Sequence, residues 1–593
     1  MRKRFLLLIL SAVCCFSLNA RTLYLDTGGS SLWETGGAQF AVWHWQGSNS
    51  GSWSALMTNV SGSVWQTTIN DASDHVIFVR LNNTATAPDW TAKWNQTEDL
   101  TVSDDYDLYI ITGWGEEDGN WSQYGAQPTT PPVTPSDYST AAPMQCEDVM
   151  LQAFYWGSNL DGGYGDTKWT TLSGQASEIG QSFDLVWLPP SAAANNGGMG
   201  YIPNCYSNQG STLFGKRAYL ESLISAMHSA GVKVIADIVI NHCGNRSNAC
   251  DYSPLDFGTY GSFSPQSSWM TSNDEGVSSY GCSGGSNADD GQHDANYGPA
   301  RDWDHKNTQV QAMCKAYLQW MKNVMLYDGF RYDYCGGYHV SHVGDYNTAA
   351  KPYFSVMEYW VGDANELKTR IDEAGKNTLT FDFANMYTAL RDGIASSNYS
   401  NCLNAGLRGK GYSRYAVTFI DNHDTFNRGS DNSDVCGNRD GSSINNSSVM
   451  LQCNAYILSL PGVPCVFYPH WVRYKSEIQS MIYARKAAGI HSESTMQEEA
   501  GNGYYRATIQ GKHGSLKLML GSAANDATPS GYTLATKGST YAVYYISTND
   551  AVPSTDSTHP ALDTDKPMFN LLGQPVTADY HGIVIQNGHK HLR

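Results

Sequence analysis

From Val149 onward, short apolar runs alternate with longer amphipathic stretches, a pattern that predicts strands separated by helices. The runs are VMLQAF (149–154), FDLVWL (183–188), VKVIADIVI (232–240), GFRYDY (329–334), YFSVME (353–358), LTFDF (379–383), YAVTFID (415–421) and GVPCVFY (462–468). Between most of them lie helix-like segments such as 216–231, which Gly231 closes as a C-cap. Eight strands interleaved with helices predict a (β/α)8 barrel over 146–493. The third strand is followed by a Gly/Ser/Asn/Asp-rich excursion over about 243–301, long enough to be functional or a small inserted domain. Residues 494–550 return to strand-like alternation (YYRATIQ, SLKLMLG, TYAVYYIS) and predict a C-terminal antiparallel β domain. At the other end, 21–125 alternate apolar and polar positions (FAVWHW, HVIFVRL, YDLYIITGW), the pattern of a β-sandwich. A Pro/Thr/Ser-rich linker at 126–145 separates sandwich from barrel, and a second linker with a tail fills 551–593.

Composition narrows the function. The 593 residues are 16% charged and 12% aromatic, which excludes a mostly disordered chain. A net charge of −19 argues against nucleic acid as a partner, since a polyanion needs clustered Lys and Arg. Residues 22–125 hold 13 Asp and Glu against Arg80 and Lys93, together with nine of the 17 Trp. Aromatic faces without basic charge suit a neutral polar ligand. Arg2, Lys3 and Arg4 precede an apolar run from Phe5 to Leu18 that ends in Asn19-Ala20, which reads as a signal peptide over 1–20 and an exported chain. No later stretch approaches the roughly 18 apolar residues of a membrane span. Eleven Cys follow the signal; Cys243 and Cys250 are a close-spaced disulfide candidate, while Cys335 and Cys465 lie in strand-like runs and read as buried thiols.

Chemistry in such a barrel sits at the C-terminal ends of the strands. Those positions carry Asp237 and His242 after strand three, Asp333 at the end of strand four, Glu358 at the end of strand five, and Asp421 to Asp424 after strand seven. Unpaired buried carboxylates are costly, so several converging on one rim mark a site. Two carboxyls about 5–5.5 Å apart would suit retaining glycoside hydrolysis.

In order along the chain, ADIVINH (236–242), ARDWDH (300–305), GFRYDY (329–334), SVMEYW (355–360) and FIDNHD (419–424) resemble the signature of glycoside hydrolase family 13, the α-amylase family. VWLPPSAA, GMGYIPNCY and GVPCVFYPH are similar to its plant-type members. The resemblance implies a starch hydrolase with Asp333 as nucleophile, Arg331 orienting it, Glu358 as acid/base and Asp424 gripping the distorted sugar. It further implies that His242 and His423 donate to the same sugar and that Tyr201 stacks beneath it. A structural Ca²⁺ is implied at Asn241, Asp302 and the carbonyl of Gly337, donors of the oxygen type calcium prefers. One departure stands out: many relatives carry Lys three residues after the nucleophile, where this chain has Gly336.

The segment 21–125 resembles a family 26 starch-binding module through WNQTEDLTV and GWG, with Trp43, Trp45 and Tyr24 as candidates for a glucan platform. The final 27 residues resemble sorting tails of exported proteins in Bacteroidetes-type bacteria, and a hairpin packed on the β domain is the alternative. The reading expected is a secreted or cell-surface bacterial α-amylase, monomeric, acting on starch and other α-1,4-glucans. A maltooligosaccharide-forming or glucan-transferring relative is the enzymatic alternative, and a non-catalytic starch-binding surface protein the other.

Overall fold

The computed structural model describes residues 20–547 apart from 29–31, 103–106, 112, 117–118, 123, 125–136, 161, 196–198, 210–211, 245–250, 274–282, 294–299, 427–432 and 436–445, together with four short strands between 568 and 592. It divides into two compact units, residues 1–131 and 132–593.

In the first unit two antiparallel-rich sheets face each other. One has the strand order Gly119–Ser122, Leu108–Ile111, Ala20–Asp26, Val64–Asn70, Thr58–Ser61; the other runs Ser52–Trp53, Gln39–Trp45, His75–Leu81, Lys93–Gln96, with Leu100–Thr101 also on the third strand. Alternation decides which residues face inward. Leu23 and Leu25 of one sheet meet Phe40, Val42, Val76 and Phe78 of the other in a single core. The signal-peptide segment lies outside the described residues except Ala20, which opens the first strand.

In the second unit eight parallel strands close into a barrel: β1 (Met150–Gln152), β2 (Leu185–Trp187), β3 (Lys233–Ile238), β4 (Gly329–Tyr332), β5 (Phe354–Met357), β6 (Leu379–Phe381), β7 (Ala416–Phe419) and β8 (Val463–Phe467). Each lies within one of the eight apolar runs. Strands enclosed on both faces need no alternation, and these are almost entirely buried. The helix Arg217–Ser229 ends at Ala230 and Gly231, the latter with φ +78°. The five-stranded antiparallel sheet of 495–547 shares one continuous core with the barrel, across the helix Lys475–Ala488. Residues 137–145, at the end of the Pro/Thr/Ser-rich stretch, are held to the barrel base. Lys322 and Lys351 both reach Asp137 at 3.0 Å, and Ala141 accepts from Ser355 N at 2.9 Å.

The excursion after β3 leaves and returns through a narrow neck in which His242 pairs with Asp302 and Cys243 with Arg301, antiparallel. Cys250 lies outside the described residues, and Cys243 is a buried free thiol, as are Cys335 and Cys465. Among the described residues no helix is long and apolar enough to cross a membrane.

Gly329 begins the strand that carries the central acid. A Cβ there would stand 2.4 Å from the backbone oxygen of Phe354 and 2.7 Å from Ile235 Cδ1, so side-chain absence is what seats β4 between β3 and β5. Gly329→Ala is expected to cost about 1–3 kcal/mol by overpacking, measured as a lower apparent Tm of the barrel transition by differential scanning calorimetry.

Candidate active site

Arg331, on β4 and without exposed surface, is the hub. Period-two alternation puts Arg331 and Asp333 on the same face, and Arg331 Nη1 donates to Asp333 Oδ1 at 2.6 Å. The same nitrogen donates to Asp237 Oδ1 from β3 at 2.8 Å. Nη2 lies 2.7 Å from Glu358 Oε1, just past the end of β5, as an ion pair. Three adjacent strands thus each bring one carboxylate to one guanidinium. Trp187 of β2 lies beneath it, with Arg331 Cζ 4.9 Å from the ring centroid.

Three acids around one cation cannot all be ionised comfortably in a buried site. Burial pushes Asp333 up to about 7, against the pull of Arg331. Burial likewise raises Glu358 to about 7 and Asp237 to about 6, again opposed by Arg331. The group titrates as a unit. Hydrogen bonds favour the charge on Asp333 and Asp237: each accepts from Nη1, and Asp237 Oδ2 also accepts from Trp187 Nε1 (3.0 Å) and Tyr201 OH (2.8 Å). Glu358 accepts one backbone hydrogen bond, from Tyr334 N at 3.0 Å. By hydrogen bonding Glu358 is the least stabilised anion of the three, its other tie being the Arg331 ion pair.

Asp424 faces this group from the turn after β7, which is shaped by Asn422 Oδ1 accepting from Asp424 N (2.8 Å) and Thr425 N (2.9 Å). His423 is buried, with Nε2 3.2 Å from Asp424 Oδ2 and Nδ1 3.0 Å from Gln152 Nε2. Its ring lies parallel to Tyr201 at 5.0 Å and to Trp156 at 6.3 Å. Tyr201 and Trp156 are parallel at 6.2 Å, so three flat faces line one wall. His242 sits behind Tyr201, with Nε2 2.8 Å from the Tyr201 carbonyl and Nδ1 3.3 Å from Asn241 Nδ2. The expected sugar contact of His242 requires it to exchange one of these partners.

Asn241 and Asp302 meet at the neck, where Asn241 Nδ2 donates to Asp302 Oδ1 at 3.0 Å. Asn241 Oδ1 is buried and, among the described residues, has no hydrogen-bond partner. Gly337 closes on it so tightly that a Cβ would stand 2.1 Å from that oxygen. A buried, unpartnered oxygen beside a carboxylate and a main-chain turn fits a hard cation.

Gly336 has a steric cause. The backbone amides of Gln292 and His293, from the excursion, both donate to Gly336 O at 3.0 Å. A Cβ at 336 would stand 2.8 Å from His293 O, so the excursion fills the space a longer side chain would need.

Tyr24, Trp43 and Trp45 are not brought together. Trp43 and Trp45 point outward from one sheet, Trp43 packing edge-on to Trp53 at 5.2 Å and Trp45 stacking on His75 at 5.3 Å. Tyr24 follows the opposite sheet, alternating with the core residues Leu23 and Leu25, and stacks on Tyr124 at 3.6 Å. One flat platform of these three residues does not form, because the sandwich core lies between the two sheets. Trp156, Gln152 and the hydrogen-bonding role of Asp237 were not foreseen from sequence; for Asp237 the signal was its place at the end of β3.

The family model for the alpha amylase catalytic domain matches residues 178–510. The chain is 31% identical over 424 residues to probable alpha-amylase 2 of Arabidopsis thaliana, covering 67% of this chain and 94% of that protein. It is 27% identical to the chloroplastic alpha-amylase 3 of the same plant, over 68% of this chain and 44% of that longer protein. It is also 27% identical to the glucan 1,4-alpha-maltotetraohydrolase of Stutzerimonas stutzeri, over 63% and 68%.

The raised acids give a stability signature. The folded state binds their protons more tightly than the unfolded chain, so their contribution to stability is full below the ordinary carboxylate range, about pH 4, and is lost as pH rises through about 7. Glu358→Gln removes one of these acids while keeping its shape. The Tm of the variant minus that of wild type should grow from pH 5 to pH 8, measured by calorimetry at matched ionic strength.

Proposed function

The chain belongs to the α-amylase family and is a glycoside hydrolase of that family, and from that premise we propose that it cleaves internal α-1,4-glucosidic bonds of starch and related glucans with retention. The observation that carries this reading is the single guanidinium contacting both Asp333 and Glu358. Adjacent nitrogens of one planar group keep the two carboxyls close, which suits direct attack and leaves little room for an intervening water. Arg331 engages Asp333 Oδ1, and Oδ2 attacks the anomeric carbon. Glu358, protonated, delivers its proton to the departing glycosidic oxygen as the C–O bond breaks. It then takes a proton from the water that displaces Asp333 and frees the sugar. Asp424 and His423 hold hydroxyls of the distorted ring against the wall of Tyr201 and Trp156.

Asn241, Asp302 and the Gly337 carbonyl are the residues that would hold calcium. Bound there, the ion would supply a structural crosslink between the neck of the excursion and the turn following Asp333. The first unit is read as a starch-binding module, supported by its sandwich fold, its exposed Trp and the scarcity of Lys and Arg over 22–125. Export and surface retention rest on the basic-apolar start and the tail phrase GIVIQNG. The four tail strands form a sheet of their own among the described residues, in the order Pro575–Val576, Met568–Asn570, Ile583–Gln586, His589–Leu592. Gly336 favours a second reading, a maltooligosaccharide-forming or transferring enzyme, because the leaving-group side lacks a cationic side chain at that position.

Two measurements test these readings. Glu358→Gln should lower the release of reducing ends from soluble starch by about 10²- to 10⁴-fold, the range of a general acid/base, and wild type should release products first in the α form by NMR. Equal rates, or β products, would refute the assignment. Chelation should lower the Tm and added Ca²⁺ should restore it, and Asn241→Ala should abolish that response.

A further inference from the structure

Among the described residues of the first unit, the most exposed tryptophans are Trp114 at 48% and Trp94 at 45%. Neither belongs to the strand that alternation singles out. Trp94 sits at a β-bulge, where Arg80 pairs with Asn95 and Leu81 with Lys93 and Trp94 is left unpaired between them. Bulges re-aim side chains, and this one turns the indole onto the Arg80 guanidinium, 4.7 Å from Cζ to the ring centroid. Trp114, from the turn after Leu108–Ile111 of the facing sheet, lies at 5.4 Å from the same Cζ.

Arg80 is a fixed post. It is buried, and it donates to Trp33 O at 2.5 Å, to Thr35 Oγ1 at 2.9 Å and to the Thr35 carbonyl. Asn95 Nδ2 donates to Trp114 O at 3.0 Å, tying the turn to the bulge. A Cβ at Gly36 would touch Trp94 at 3.3 Å, so the far edge of that ring is seated too. Both indoles are therefore held in place before any ligand arrives, which lowers the ordering cost of binding. Trp43, Trp53 and Trp90 differ: they pack on one another at 4.6 to 5.4 Å, and Trp90 is the most exposed of the three at 39%.

We propose that Trp94 and Trp114, mounted on Arg80, are an α-glucan-binding platform that takes the apolar faces of sugar rings of one chain. The charge pattern fits a neutral ligand. Arg80 and Lys93 are the only Arg or Lys in 22–125, and the Arg80 guanidinium is already occupied by backbone oxygens. The proposal rests on the reading of the first unit as a starch-binding module and moves its binding surface away from Trp43, Trp45 and Tyr24.

The test uses full-length protein in the Glu358→Gln background, so that starch survives, and measures partition onto raw starch granules. Trp94→Ala/Trp114→Ala should weaken retention at least about tenfold, as for a buried aromatic anchor. The Trp94→Phe/Trp114→Phe pair, which keeps a ring on Arg80, should stay within about threefold of the parent. The same pairs made with Glu358 intact should hydrolyse maltoheptaose at the wild-type rate. If the parent binds granules and the alanine pair binds as well, the platform is wrong and the module reading stands. If the parent is not retained at all, the module reading itself falls. If both pairs lose retention alike, or maltoheptaose hydrolysis drops with it, the side chains act through folding and the proposal is overturned.

Discussion

A guanidinium with no exposed surface must find its counter-charge in the protein, and Arg331 finds it on three neighbouring strands. Asp237, Asp333 and Glu358 come from the ends of β3, β4 and β5, and all three contact the shared cation. Lysine could not replace it, because one point charge cannot present separate nitrogens to separate carboxylates. Burial is what lifts the carboxyls toward neutrality, and the excess of acid over base adds to it. With values so raised, one acid can hold a proton while another is ionised, which is the division of labour the proposed retaining mechanism needs. Stability is given up at high pH to obtain it.

That hub constrains what surrounds it. The β4 backbone must pass between β3 and β5, which Gly329 allows. The turn beyond Asp333 must accept the excursion on one side and the Asn241 side chain on the other, which Gly336 and Gly337 allow. Asp290 of the excursion accepts from His339 N at 3.1 Å and lies 3.4 Å from His342, a further tie between the two segments. The excursion is thus part of the wall of the site, and the absence of a lysine at 336 follows from packing before it bears on specificity.

The barrel was legible because strands buried on both faces are written as short, mainly apolar runs, and all eight runs contain one. The partnership of Arg331 and Asp333 was implied by the family resemblance, and a spacing of two is consistent with it because it fixes a common face. Asp237 appeared only as one more acid at a strand end, since its partners Trp187 and Tyr201 come from other loops and strands. The wall formed by Trp156, Tyr201 and His423 depends on three separate loops and has no local signature. In the sandwich, alternation put Trp43 and Trp45 on one face, yet alternation cannot say that neighbouring aromatics cover that face. Nor can it reveal a bulge, because a one-residue register shift at Arg80 and Leu81 is a property of the pair of strands.

The acidity of the first unit also has a local cause. Its connections need acceptors for backbone and side-chain donors, and short carboxylates supply them. Asp26 Oδ1 takes Gly28 N at 3.1 Å and Ser63 Oγ at 2.7 Å, and Glu34 Oε1 takes Thr27 Oγ1 at 2.8 Å and Trp65 Nε1 at 3.0 Å. Asp74 takes Gly47 N at 2.8 Å, Asp89 takes Thr91 N at 2.7 Å, and Asp107 takes Tyr124 N at 2.6 Å. Each closes a turn or joins two segments by accepting from uncharged donors. A sandwich whose loops are pinned by carboxylates accumulates negative charge as a by-product of its architecture. Five of the 13 acids in 22–125 are used in this way.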